Sequence, residues 1–311
     1  MKYVINALFF LSPVLTQVSD LKITVLSTMV ADYDYIGEWG FSALVESDKK
    51  RILFDTGFRP KTVLENADSL GIDLSNVEHV FLSHNHMDHA GGLLYLRKEL
   101  MNVNPNAMKY VHVGEGIFSK RWSNGKNKNK LSTIKNKLEQ YGIVFIYYNK
   151  PEEIFPNIWT TGIVPRKHNE RNWSGYREII VDDKKIEDNI PEDHSLIINS
   201  TRGLVLVSGC GHAGIVNTLE HTSKIFDSKS NIISAIGGFH LFNKSDKDIS
   251  WTSKHMRKYG IDYFLGAHCT GIDAVYQIRK KNRMNRKNCS VAAVGSYFEL
   301  NEGLFPGLIS R

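Results

Sequence analysis

The chain has 311 residues, of which 42% are hydrophobic and 23% charged, a composition that excludes a disordered or fibrous protein. The net charge is +6, and much of the excess lies in two basic segments, 120–137 and 278–287. Because neither segment is regularly interleaved with aromatic residues, we interpret both as solvated faces and do not expect nucleic acid as a partner. The three cysteines, Cys210, Cys269 and Cys289, do not suit a disulfide framework.

The first 19 residues have the features of a secretory signal peptide. Lys2 precedes an apolar stretch from Tyr3 to Leu15, and small or polar residues follow. That stretch is too short for a spanning helix. No other segment is long and apolar enough, so we predict no membrane span in the mature chain, residues 20–311. We expect the mature chain to form one domain. We expect export to the periplasm or secretion. The alternative is a cytoplasmic protein in which this segment is a buried first element.

From residue 20 onward, strand-like and helix-like segments alternate. In chain order, we predict strands at 21–28, 41–47, 50–57 and 77–83, helices at 90–100 and 131–142, a strand at 158–164, a hairpin of 195–200 with 203–209, a helix at 213–226, a strand at 231–238, a helix at 248–260, a strand at 261–267, a helix at 273–282 and strand-like residues in 289–300. Continuous apolar runs of this kind are typical of strands buried on both faces. The pattern predicts an α/β domain with helices outside its sheets.

Potential metal ligands crowd the segment "SHNHMDHAGG" that follows the strand at 77–83. The segment contains His84, His86, Asp88 and His89. Folding alone does not favour such crowding, because neighbouring imidazoles compete for partners and repel when protonated. The first two histidines share one side of an extended segment, and Gly91 and Gly92 let the backbone bend before the next helix. These ligand types indicate a zinc site, with iron or manganese as alternatives.

Three further predicted strands also end at potential ligands, which are Cys210, His240 and His268. Sites in α/β sheets form where the carboxyl ends of strands converge, so we predict that these residues meet the first cluster. Cys269 adjoins the last of them, and we predict that its side chain faces away from the metal. Cys289 is a predicted core thiol.

The motif His-x-His-x-Asp-His after a buried strand resembles that of the metallo-β-lactamase superfamily. "LFDTG" at 53–57, "VLVSGCGHAGIVNT" at 205–218, "AIGGFHL" at 235–241 and "GAHCTG" at 266–271 add to the resemblance. Together they resemble the branch of dihydropterin-methyl-ribofuranosylaminobenzene-phosphate synthase, which includes many metal-dependent hydrolases. The resemblance implies a four-layer αββα sandwich of two mixed sheets with outer helices.

The resemblance also implies two divalent cations and assigns their ligands. These are His84 and His86 for the first metal, Asp88, His89 and His268 for the second, and Cys210 where the superfamily has a bridging aspartate or a cysteine. The third ligand of the first metal stays open: His212 is preferred, and His194 and His240 are alternatives. Asp55, in the "LFDTG" motif, is expected to support the ligands rather than bind metal.

The implied chemistry is attack by a metal-bound hydroxide on a small, anionic substrate. Asp88 would orient the hydroxide, and His240 is a candidate proton donor. The basic segment after the strand at 158–164 supplies candidates for substrate contact, which are Arg166, Lys167 and His168. The sequence has no serine nucleophile elbow, P-loop or dinucleotide fingerprint that would indicate other chemistry.

Three functions therefore stay open. The preferred one is a dinuclear metal-dependent hydrolase. The second is a transferase that joins a pterin to a phosphorylated aminobenzene riboside, as the branch implies, although export would argue against a cytoplasmic pathway. The third is a metal-binding protein without turnover, acting as a sensor or a store. The sequence does not indicate an oligomeric state.

Overall fold

The computed structural model describes residues 17–48, 50–173, 177–181, 184–228 and 230–310. Its strands are β1 (Leu21–Ser27), β2 (Ser42–Ser47), β3 (Lys50–Phe54), β4 (His79–Leu82), β5 (Tyr110–Gly114), β6 (Arg121–Ser123), β7 (Lys126–Asn127), β8 (Val144–Tyr148), β9 (Glu152–Phe155), β10 (Ile158–Thr160), β11 (Glu178–Val181), β12 (Lys184–Glu187), β13 (Leu196–Ser200), β14 (Gly203–Ser208), β15 (Ile232–Gly237), β16 (Tyr263–Gly266), β17 (Cys289–Val291), β18 (Tyr297–Glu299) and β19 (Gly303–Phe305). Its α-helices are α1 (Thr62–Ser69), α2 (Met87–Ala90), α3 (Leu93–Leu100), α4 (Lys130–Gln140), α5 (Ile215–Ile225), α6 (Asp246–Lys258) and α7 (Ile272–Lys281).

Two large mixed sheets form the middle of the fold. The first has the order β19-β18-β1-β2-β3-β4-β5-β8 and is parallel from β3 to β8. The second has the order β17-β16-β15-β14-β13-β10-β9 and is parallel from β14 to β17. The predicted pair of mixed sheets is therefore confirmed.

Side chains of the central strands alternate between an inner and an outer apolar layer. In β2, Ala43 and Val45 pack between the two sheets, whereas Leu44 packs under the helices on the outside. In β14, Val205 points inward and Leu206 outward in the same way. Helices α1, α3 and α4 cover the first sheet, and α5, α6 and α7 cover the second. This arrangement confirms the predicted αββα sandwich.

Most predicted elements appear near their expected positions. The hairpin of β13 and β14 is present, and the predicted helix at 90–100 corresponds to α3, while the preceding short helix α2 ends at Ala90. The segment 289–300 contains two short strands, β17 and β18, which belong to different sheets.

The structure adds strands that the sequence did not predict. A small antiparallel sheet has the order β12-β11-β6-β7. The four residues of β12 are all exposed. A sheet that covers so little core lacks the apolar pattern on which strand prediction depends.

Residues 1–16 lie outside the described part of the chain, so the predicted signal peptide stays a prediction. Val18 is described and buried, and its N–H donates to the carbonyl of Asn199 at 3.1 Å. Its carbonyl accepts from the N–H of Thr201 at 2.9 Å. Cleavage near Ser19 would remove these contacts. Among the described residues, no helix has the length and apolar character to cross a membrane.

A fully buried arginine ties the small sheet to the segment that precedes β13. The guanidinium of Arg121 donates to Asp188 at 3.1 Å and to Glu192, and it also reaches the carbonyls of Gly116 and Ser119. Burial raises the pKa of Glu192 to about 7, although the charge of Arg121 opposes that rise. The arginine therefore compensates two carboxylates that have little access to water.

We expect Arg121→Met to lower the free energy of unfolding by about 3 kcal/mol or more, because it leaves buried carboxylates without a cation. Urea denaturation measures the loss. The control is Arg51→Met, which removes a partly exposed pair with Glu46 and should cost less than about 1 kcal/mol. Equal losses in the two variants would contradict a structural role for the buried cluster.

Candidate metal centre

Three neighbouring parallel strands of the second sheet end at the same level. Ser208 of β14 pairs with Gly237 of β15, which pairs with Gly266 of β16. The loops that follow these strands carry Cys210, His212, His240 and His268. On the first sheet, β4 ends at Leu82, immediately before the loop that carries His84. The register of the parallel strands thus brings their carboxyl ends, and the loops that follow them, to one edge of the sheet, as predicted.

Glycines allow close approach of neighbouring loops at this edge. A Cβ on Gly209 would lie 2.0 Å from the hydroxyl of Ser83 and 2.6 Å from a carboxyl oxygen of Asp55. A Cβ on Gly91 would lie 2.0 Å from the carbonyl of Phe58. Gly91 has an ordinary φ of −66°, so its contribution is close backbone contact and not the tight bend that we predicted.

The loop after β4 presents its histidines as predicted. His86 is extended, with φ −72° and ψ 143°, and α2 begins at the next residue. The rings of His84 and His86 lie 4.6 Å apart between centroids. Asp88 and His89 then lie on the single turn of α2, so one short segment presents four potential ligands.

The predicted ligands come together in groups whose donor atoms lie within 4.8 Å of one another. These groups are His84 with His86 and His212, His84 with His89 and Cys210, Asp88 with His89 and His268, Cys210 with His212 and His240, and Cys210 with His268 and Cys269. Each group is one that could hold a metal ion. The first and third match the ligand sets that the sequence suggested for two metals.

Two imidazole nitrogens in this cluster face each other without a proton between them. Nε2 of His84 lies 3.3 Å from Nε2 of His212. The hydroxyl of Ser83 donates to Asp55, so it must accept from Nδ1 of His84 at 2.9 Å. Nδ1 of His212 must donate to the carbonyl of Asn172, since a carbonyl only accepts. In the neutral rings, both Nε2 atoms therefore present lone pairs, which is the arrangement that a cation requires.

The pKa values of these histidines keep the rings neutral. Burial, reinforced by neighbouring imidazoles, lowers the pKa of His84 and of His212 well below the usual value. Burial also lowers the pKa of His86 to about 3, and the charge of Arg177 contributes to that shift. Neutral imidazoles are the form that binds metal ions.

Asp55 orients the second half of the cluster. Its carboxylate accepts from Nδ1 of His89 at 2.6 Å, and Nε2 of His89 then points to Sγ of Cys210 at 3.1 Å. Burial alone would lower the pKa of His89, but the charges of Asp55 and Asp88 outweigh it and raise that pKa to about 9. The surroundings of His89 thus favour positive charge at this position.

Asp88 and His268 face each other across the same space. Oδ2 of Asp88 lies 3.2 Å from Nε2 of His268 and 3.8 Å from Nε2 of His89. Burial would raise the pKa of Asp88, but the charges of His89 and His268 outweigh it and hold the group ionised. The backbone N–H of His268 donates to Oγ1 of Thr28, and this bond holds the backbone of His268 at φ +45°.

Cys269 lies in the cluster, so the prediction that it faces away was wrong. Its Sγ is 3.3 Å from Sγ of Cys210, and both side chains are buried. The reason is the 3₁₀ turn at His268–Thr270, which brings the second thiol back toward the first. Burial and the neighbouring sulfur raise the pKa of Cys210. Burial would also raise the pKa of Cys269, but the bond from the other thiol and the nearby His268 lower it overall. Cys289 is a core thiol, as predicted.

His194 and His240, the two alternatives to His212, differ in their surroundings. His194 donates from Nε2 to the carbonyl of Leu82 at 2.8 Å, and its Nδ1 pairs with Thr160 at 2.9 Å. Both its nitrogens are therefore engaged. Nδ1 of His240 is buried with no hydrogen-bond partner among the described residues, and its ring lies 4.8 Å from that of His212.

The basic residues predicted to contact substrate have protein partners instead. The guanidinium of Arg166 donates to the carbonyls of His212, Asn189 and Ile190. Lys167 and His168 both pair with Glu220. None of the three lines either of the clefts that open beside His86. The structure thus gives them supporting contacts, and their predicted contact with substrate has no geometric support.

Sequence patterns also missed groups that surround the cluster. The ring of Trp39 lies 4.9 Å from that of His268 and 5.8 Å from that of Phe242. The carboxylate of Asp193 accepts from the N–H of Ala213, and burial raises its pKa to about 6. No local motif marks these residues, because their partners are distant in the chain.

The sandwich and the cluster at its strand ends define an α/β protein with a candidate metal centre. The model of the metallo-β-lactamase superfamily matches residues 40–219, and the chain belongs to that superfamily.

The chain is 30% identical over 275 residues to the 7,8-dihydropterin-6-methyl-4-(β-D-ribofuranosyl)-aminobenzene-5′-phosphate synthase of Methanocaldococcus jannaschii, covering 83% of this chain and 90% of that one. A second protein of that organism, uncharacterised, is 30% identical over 84% of this chain and 94% of its own. Among solved structures, Tm1679, a metal-dependent hydrolase of the β-lactamase superfamily, has a TM-score of 0.73 and 27% identity, covering 90% of this chain and 99% of that one.

We expect His212→Asn to weaken zinc binding by more than about 100-fold, because it removes a lone pair that faces His84. His194→Asn is the matched control, since it removes an equally buried histidine whose nitrogens have protein partners. Metal content after dialysis and zinc titration of the folded variants measure the difference. Equal zinc binding by the two variants would contradict the assignment.

Proposed function

We propose that the protein is a dinuclear metal-dependent hydrolase that acts on a small, anionic molecule. The observation that carries this proposal is the pair of unprotonated Nε2 atoms of His84 and His212, 3.3 Å apart, for which a bound cation is the natural partner. Zinc suits the nitrogen, sulfur and carboxylate donors, and iron or manganese are the alternatives.

The proposed ligands divide into two sets around the thiol of Cys210. The first metal would be held by His84, His86 and His212, and the second by Asp88, His89 and His268. Cys210 lies close enough to His84 and to His89 to serve either set, and Cys269 adds a second sulfur beside it. We also assign Asp55 the supporting role that its bond to His89 indicates.

Two divalent cations held this way would lower the pKa of water and polarise an oxygen of the substrate. The side chain of Asp88 is 19% exposed and ionised, so it can accept a hydrogen bond from the attacking water and orient it. The ring of His240 lies at the cleft beside His86 and would give a proton to the leaving group. These roles make both residues candidates for catalysis.

A transferase is the second candidate function. The 30% identity to the Methanocaldococcus synthase over most of both chains favours it. The 27% identity to Tm1679 with a TM-score of 0.73 favours the hydrolase. Both reactions would use the same centre, and they differ in the acceptor: water in the first case, an organic molecule in the second.

The test is metal content per chain together with a panel of ester, lactone, lactam and phosphodiester substrates. We expect two metals per chain, hydrolysis of at least one class, and a decrease in kcat of about 10²- to 10⁴-fold in Asp88→Asn. Asp68→Asn, which changes an exposed aspartate of α1, is the control and should leave kcat unchanged.

Two results would contradict the hydrolase. One is hydrolysis that persists at full rate in Asp88→Asn. The other is condensation of a pterin with a phosphorylated aminobenzene riboside without hydrolysis of any panel compound, which would favour the transferase.

A further inference from the structure

A cleft of about 330 Å³ opens on the side of the candidate metal centre that faces the small sheet. Its lining includes His86 and Asp88 of the loop after β4 and three cations, Lys128, Lys130 and Arg177. We call it the basic cleft. Arg177 also lines the adjoining cleft of about 310 Å³, whose lining includes His212 and His240. The cations therefore border the space in which a substrate of this centre would lie.

Two of these cations, Lys128 and Lys130, lie two residues apart, and the third, Arg177, lies far from them in the sequence; none has an anionic partner among the described residues. Lys128 follows β7, Lys130 begins α4 and Arg177 precedes β11. Their side chains make no hydrogen bond or ion pair with any residue in the described ranges, although Arg177 is half-buried. Lys167, by contrast, is paired with the carboxylate of Glu220. A concave surface lined by charges of one sign attracts and concentrates ions of the opposite sign.

Aromatic side chains complete the basic cleft. Phe58 and Trp39 line it and are 48% and 47% exposed. Large apolar side chains exposed beside a polar site commonly contact a ligand. The wall thus offers flat apolar faces beside the cations, which suits a ring that carries a negative group.

We propose that the basic cleft binds the phosphate or carboxylate of a substrate that also carries an aromatic ring. The guanidinium of Arg177 would pair with two oxygens of that group, the two lysines would add charge, and Phe58 would contact the ring. This inference rests on the proposed function, since it names the substrate class of the same centre.

Calorimetry with phenylphosphonate, on purified protein whose metal content is measured, tests the proposal. We expect Arg177→Ala and the double variant Lys128→Ala/Lys130→Ala each to weaken binding by about tenfold, as loss of bonds to a charged group would. Arg177→Lys keeps the charge and should recover part of the affinity. The control is Lys137→Ala, which removes an exposed lysine further along α4 and should leave the affinity unchanged.

The contribution of the ring is measured with methylphosphonate. The wild type should prefer phenylphosphonate, and Phe58→Ala should reduce that preference with little effect on methylphosphonate. Equal preference in the variant and the wild type would overturn the proposed ring contact.

Equal affinity of the wild type and the variant lacking all three cations would overturn the anion site, as would an equal loss in Lys137→Ala. These outcomes are separate from those of the hydrolysis panel. Phenylphosphonate binding that depends on the three cations, without hydrolysis of any panel compound, would contradict the hydrolase and support the basic cleft. Hydrolysis of a panel compound, together with phenylphosphonate affinity that does not change when the three cations are removed, would support the hydrolase and contradict the basic cleft.

Discussion

One buried carboxylate holds the two halves of the candidate centre in their orientations. Asp55 accepts three hydrogen bonds, from the N–H and the hydroxyl of Ser83 and from Nδ1 of His89. Because the hydroxyl of Ser83 is committed to Asp55, it fixes which nitrogen of His84 carries the proton. The same carboxylate therefore sets the tautomers of two proposed ligands, one from each of the two proposed metal sets. The absence of a side chain at Gly209 leaves room for this bond network.

The sequence was sufficient to predict the layered fold and the residues that converge. Strands such as β4, β14 and β16 are continuous apolar runs, and their signal is local. The small sheet and the position of Cys269 were beyond that reasoning. Exposed strands carry no apolar pattern, and the direction of a thiol depends on a single turn of backbone, with φ +45° at the preceding residue.

Substrate contacts were harder to predict than the ligands. A basic segment such as 166–168 gives no indication of where its side chains point. In the structure, the guanidinium of Arg166 donates to the carbonyl of His212, 46 residues away. Conversely, Lys128 and Lys130 lie in a segment that we interpreted as a solvated face. A metal ligand set can be recognised from spacing because its chemistry needs particular residue types. A charged wall is recognisable only when the fold brings its parts together.

The adjacent thiols of Cys210 and Cys269 connect the chemistry of the centre to its surroundings. At 3.3 Å, the two sulfurs are within about 1.3 Å of disulfide bonding distance. In an oxidising compartment, removal of two electrons and two protons would join them in a disulfide, unless one of the sulfurs already bound a metal ion as a thiolate. A protein exported through the predicted leader would therefore need its ions in place early. Redox environment and order of assembly would then decide whether the two thiols are available to the centre.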